Sequence, residues 1–104
     1  MATPALTDAQ RAEALVKATA VRSARRVFKD SLAQGNLTLE QAIAAAKADE
    51  ALAGIRVRDL LQCLPGIGPK RATQVMEDVG ISLARRVRGL GVHQVDALLK
   101  RERR

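Results

Sequence analysis

The chain is 104 residues long, enough for one small domain with an extended arm and too short for a second full core. Hydrophobic residues make up 47% of it, alanine being the largest contributor, and Phe28 is the sole Phe, Tyr or Trp, so the core must be aliphatic and the composition argues against a base-stacking platform for single strands. The net charge of +7 points toward a polyanionic partner and is lopsided: residues 1–55 hold seven Lys/Arg against six Asp/Glu, net +1, and residues 56–104 hold eleven against five, net +6.

The opening residues "MATPALTDAQR" lack a basic region followed by an apolar run, and no segment approaches about 18 consecutive apolar residues. Neither an export signal nor a membrane span is expected. Thr7 followed by Gln10 fits a capping box and predicts the start of a long helix. With no Gly or Pro before Gly35, that helix runs to the region of Ala33. Along it Ala20, Val21, Ala24, Val27, Phe28 and Leu32 share one arc suited to packing, while Arg22, Arg25, Arg26 and Lys29 share another. The basic stripe reads either as a solvated surface or as a phosphate-contacting one.

Thr38 and Gln41 repeat the capping signal and predict a second helix of about ten residues, alanine-rich on its apolar side and structural in role. Gly54 breaks that run, and "IRVRDLLQCL" predicts a short helix carried by Val57, Leu60, Leu61 and Leu64. Cys63, the only cysteine, permits no intramolecular disulfide, suits a reducing cytoplasm and reads as a small, partly buried residue. One cysteine and one histidine argue against a metal site. No segment shows the strict alternation of a strand, so the expected fold class is all-α.

The stretch "LPGIGPKRA", residues 64–72, concentrates chemistry. Pro65 is expected to end the preceding helix, and Gly66 and Gly68 can take angles closed to other residues and present their amides unobstructed. Pro69 suits the first turn of the next helix, "PKRATQVMEDVG", which Gly80 terminates. Lys70 and Arg71 then sit where the helix dipole opposes positive charge, a cost of about 0.3–1 kcal/mol each unless an anion lies in front of them. Phosphate is the simplest such anion. A tight helix–helix turn without a ligand is the other reading of the same residues.

Downstream, in "ISLARRVRGLGVHQVDALLKRERR", Ser82 is expected to cap a short helix through Arg88. The "GLG" that follows reverses the chain into a last helix led by Val95, Leu98 and Leu99. Arg85, Arg86 and Arg88 repel one another with no acidic neighbour in sequence, and such a cluster suits adjacent phosphates or a narrow minor groove. His93 reads as a surface residue. Helices joined through glycine-bearing turns resemble the helix-two-turn-helix module shared by a small-subunit ribosomal protein and some base-excision glycosylases. The expected organisation is a helical arm over residues 1–35 followed by that module over residues 36–104.

The whole chain resembles the actinobacterial integration host factor family, through "LTDAQRAEAL", "RSARRVFKDSL", "VRDLLQCLPGIGPKRA" and "RRVRGLGVHQVDALL". The resemblance implies a small nucleoid-associated protein that binds double-stranded DNA with little sequence preference, bends or constrains it, and assists phage integration in some hosts. It implies DNA contacts from Gly66, Ile67, Gly68, Lys70 and Arg71 and from Arg85, Arg86 and Arg88. Pro69 removes one candidate amide from that set. The protein is therefore expected to be a monomer in solution and to work in the cytoplasm on the nucleoid, with no small-molecule substrate, no membrane partner and no cofactor. With no paired carboxylates, zinc ligands or activated nucleophile, it is expected not to be an enzyme. Binding to RNA or the ribosome through the same module stays open, since the charge serves either polymer.

Overall fold

The computed structural model describes residues 7–102, in which six helices and one 3₁₀ turn pack around a single apolar core. Helix α1, Asp8–Ala33, starts where its capping box requires: Gln10 N donates to Thr7 Oγ1 at 3.1 Å and Thr7 N donates to Gln10 Oε1 at 2.9 Å. Its first half, through Ala20, is exposed along its whole length and projects from the domain, giving the molecule extents of 53 × 33 × 24 Å. Only the second half packs, through the buried Phe28 and Leu32 and the half-buried Ala24. Val27 is 61% exposed and Ala20 is exposed, so the packed arc is narrower than the sequence pattern predicts. The helix meets its neighbours along a line of i, i+4 residues, and Val27 lies about 100° round from Phe28.

Gly35, at a φ of 76°, turns the chain into α2, Leu39–Ala48, which opens with the second predicted capping box, Thr38 with Gln41. Leu39, Ala42, Ile43 and Ala46 form its buried face. Helix α3, Glu50–Ala53, which no sequence pattern announces, is a single turn capped by Asp49, whose carboxylate accepts from Ala51 N at 2.9 Å. Asp49 there takes extended angles and so divides what composition presents as one alanine-rich run. Helix α3 packs on the second half of α1 and on α2.

Helix α4, Val57–Gln62, and helix α5, Pro69–Val79, form an α-hairpin, with Leu60 and Leu61 of the first and Ala72, Val75 and Met76 of the second in the core. Gly80, at a φ of 81°, closes α5: Ile81 N and Gly80 N donate back to Met76 O and Glu77 O at 2.8 and 3.2 Å, and Ile81 is buried.

The expected helix from Ser82 to Arg88 does not form. Ser82 supports only a turn, through Arg85 N to Ser82 O at 2.9 Å and Ala84 N to Ser82 Oγ at 3.3 Å. The reason lies elsewhere in the chain: Val57 N donates to Arg85 O and Val87 N to Ile55 O, both at 2.9 Å, making an antiparallel bridge that pairs Arg56 with Arg86. Those backbone groups are then unavailable to a helix. A 3₁₀ turn, Val87–Gly89, follows and inserts Val87 into the core. Apart from this one bridge, the described residues are all-α, as expected.

Helix α6, Val92–Glu102, begins with Gly91 N donating to Gln94 Oε1 at 3.0 Å and buries Leu98. Two ion pairs tie it to α5, Arg101 to Asp78 at 3.1 Å and Arg71 to Glu102 at 3.5 Å. Lys47 Nζ reaches from α2 to Leu90 O at 2.6 Å and fixes the turn before it. No described helix is long and apolar enough to cross a membrane.

Candidate nucleic-acid interface

The α4–α5 turn exposes Pro65, Gly66 and Gly68 and holds its shape by burying part of Ile67 against the core. Gly66 has a φ of 81°, which disfavours any other residue, whereas Gly68 is extended at φ −90° and ψ 179°. Ile67 N donates to Leu64 O at 3.2 Å and is committed to the turn. Among the described residues, the amides of Gly66, Gly68, Lys70 and Arg71 donate to no protein oxygen. They are the free donors of the turn and of the α5 N-terminus, a concentration that suits one anion. Pro69 occupies the first helical position, where an amide would have no intrahelical partner in any case.

The two basic residues after the turn differ in disposition. Lys70 is exposed. Arg71 is partly withdrawn into its pair with Glu102, with side chains 34% and 13% exposed, and both Arg71 Nε and Glu102 Oε1 are buried without a hydrogen-bond partner. Beside Lys70, Pro69 and Thr73, a shallow depression also contains Arg58 of α4. Arg58 was not singled out in the sequence because its significance depends on α4 and α5 folding back on each other. The alternation of arginines in "IRVR" was the one available signal.

The Arg85/Arg86/Arg88 cluster leads back toward the arm. Arg85 Nη1 donates to Gly89 O at 3.1 Å and Arg86 Nη1 donates to Gly54 O, so both are oriented by backbone carbonyls. Arg88 also reaches Gly54, as does Arg25 of α1, whose Nε donates to Ala51 O at 2.9 Å. Arg25 thus leaves the exposed stripe to become a half-buried link between α1 and α3. Arg22, Arg26 and Lys29 stay with it around a shallow depression that also includes Asp30. The two basic groups that sequence distance kept apart meet at Gly54. From there a succession of neighbours leads through Arg86 to Arg56 across the bridge, and α4 then carries Arg58 to Lys70 at the hairpin.

The ion pairs among the described residues are Lys17–Glu13, Arg71–Glu102, Lys100–Asp96 and Arg101–Asp78. None involves Arg22, Arg25, Arg26, Arg56, Arg58, Arg85, Arg86 or Arg88. Three of the four pairs lie on α5 and α6; Asp30 shares the depression of Arg22, Arg25 and Arg26, and Glu77 that of Arg58, without forming an ion pair with them. Burial is the main influence pushing the Cys63 thiol up, Lys29 only partly opposes it, and its Sγ donates to Asp59 O at 3.2 Å.

Residues 32–102 match the family described as S13-like H2TH domain. The integration host factor of Mycolicibacterium smegmatis is 46% identical to this chain over 101 residues, 97% of this chain and 96% of the relative. The chain belongs to the actinobacterial integration host factor family. The integration host factor of Mycobacterium tuberculosis is likewise 46% identical, with the same coverage, and that of Streptomyces coelicolor is 45% identical over 98% of this chain and 94% of its own length. Among solved structures, the fold matches that of sIHF bound to an 8bp palindromic DNA at a TM-score of 0.78 and 39% identity, covering 81% of this chain and 94% of that one.

Proposed function

We propose that the protein is a nucleoid-associated architectural protein that binds double-stranded DNA through the sugar-phosphate backbone and minor groove, with little sequence preference, and bends or constrains it. The observation that carries this reading is the run of unpaired guanidiniums from Arg88 to Arg58, continuous with the free amides of Gly66, Gly68, Lys70 and Arg71, on a fold whose 39%-identical relative was solved with DNA. In this reading the hairpin amides and Lys70 hold one phosphate run, with Arg71 contributing its amide more than its paired side chain. Arg85, Arg86 and Arg88 engage the groove or the facing strand. The protein arrives as a monomer and supports site-specific recombination by shaping the DNA rather than by catalysis. The exposed Arg22 and Arg26, with the half-buried Lys29, offer a face to a second duplex.

Gel-shift titration of duplexes of unrelated sequence over a series of salt concentrations tests the proposal. With about five phosphates neutralised, the log–log salt slope is expected near −4.5, with similar affinities across sequences and a shallower slope for Arg85→Gln/Arg88→Gln. A slope near zero, or equal slopes for wild type and variant, contradicts it. Duplex RNA competing as well as duplex DNA supports the other reading, which the S13-like character of residues 32–102 favours.

A further inference from the structure

Gly54 is buried at the end of α3 with a φ of −82°, an angle open to any residue, so the backbone does not require glycine there. What the glycine supplies is room. A Cβ at this position would lie 2.7 Å from Arg25 Nη2 and 3.1 Å from Arg88 Nη2, so two guanidinium nitrogens from α1 and the 3₁₀ turn converge on one point. Arg25 is held there by its bond to Ala51 O at 2.9 Å, and Arg86 adds a third guanidinium through Gly54 O. Among the described residues none of the three is in an ion pair.

Converging like charges cost free energy, more so where one of them is half-buried. Bonds to Ala51 O and Gly54 O position Arg25 and Arg86, but among the described residues no acidic side chain pairs with Arg25, Arg86 or Arg88 to offset their repulsion. An anion between the two guanidiniums reverses the sign of the interaction, and the forked donors of arginine suit the paired oxygens of a phosphate.

We infer that Arg25 and Arg88 form a single phosphate-binding slot over Gly54, which joins the arm to the domain around one backbone phosphate of the bound duplex. The DNA source of that phosphate rests on the proposed function; the slot itself does not. The consequence is mechanical. A phosphate in the slot is gripped from α1 and from the 3₁₀ turn together, so the arm takes its direction relative to the duplex from the same contact that seats the domain. Arg25 then belongs to the primary duplex, and any second duplex is left to Arg22, Arg26 and Lys29.

Two measurements test this on the full chain. In the first, thermal unfolding is followed by circular dichroism in inorganic phosphate against chloride at matched ionic strength. At about ten times the half-saturating phosphate concentration, the wild type is expected to gain roughly 6–11 °C. Arg88→Gln is expected to lose most of that gain, and so is Gly54→Ala, whose methyl displaces the flexible end of Arg25 while every charge is kept. A gain in both variants equal to the wild type overturns the slot.

In the second, salt slopes are measured on one duplex of unrelated sequence. Arg25→Gln and Arg88→Gln each weaken binding but leave the slope close to wild type, because the remaining arginine still neutralises the shared phosphate. The double variant makes the slope shallower by about 0.9. A change of about 1.8 in the double variant, with about 0.9 in each single one, means two separate phosphates and overturns the inference. A phosphate gain lost in Gly54→Ala, in a protein that shows no affinity for duplex DNA, keeps the slot and refutes the proposed function instead.

Discussion

Phe28→Ala tests how the arm is anchored. Phe28 is 7% exposed and is the sole Phe, Tyr or Trp of the chain, and with Leu32 and Ala24 it carries the packed arc of α1 onto the core. A buried phenylalanine removes about 150–250 Å² from water, and truncation to alanine costs about 3–5 kcal/mol once the cavity is included. Here the low end applies, about 3 kcal/mol, because Phe28 is not fully buried. For a domain of this size that lowers the melting temperature by roughly 12–24 °C. The absence of tryptophan and tyrosine removes the usual fluorescence probe, so urea and thermal unfolding are followed by far-ultraviolet circular dichroism. Leu15→Ala is the internal control: Leu15 is 63% exposed on the projecting half of α1, and its loss is expected to stay within about 0.5 kcal/mol. Equal effects of the two substitutions, or a loss below about 1 kcal/mol for Phe28→Ala, refute the assignment of the anchor.

Three further outcomes are expected. Gly66→Ala is strained at its φ of 81° and costs about 1–2 kcal/mol in unfolding experiments, whereas Gly68→Ala, with open space around its Cβ position, leaves stability nearly unchanged and weakens DNA binding by setting a methyl group against the phosphate. Glu102→Gln removes the charge opposite the partly buried Arg71, lowering stability by about 1–3 kcal/mol while tightening DNA binding as Arg71 is released, both readable from urea unfolding and gel shifts. Hydrogen bonds from Gln74 and then Arg101 hold the Asp78 carboxyl below its ordinary 3.8. Because the folded value is the lower one, the stabilisation is present above the unfolded value and is lost as pH falls through the folded one. Titration of Asp78 by NMR is expected to move upward in Gln74→Ala, and an unchanged midpoint contradicts the attribution.

Much of the architecture is local and so was legible. The capping boxes at Thr7 and Thr38 place the starts of α1 and α2, and the glycines at 35, 66 and 80 all have positive φ where turns were expected. These features depend on residues within about four positions of each other, and sequence order displays them directly. Asp49 shows the limit of such local signals: it caps a separate turn, α3, inside what composition presents as one alanine-rich run.

By itself the sequence determined the starts of α1, α2 and α5, the hairpin, the aliphatic core and the basic C-terminal half, since each follows from spacing or composition. Only the tertiary structure decided that Ile55 and Val57 take the backbone partners of residues 85–87, abolishing the expected helix. It also decided that Glu102 claims Arg71, and that Arg25, Arg86 and Arg88 meet at Gly54 from three parts of the chain. Such contacts join residues about thirty or more positions apart. Their partners are selected by how the elements dock around Phe28, Leu61 and Leu98, and no local pattern encodes that choice.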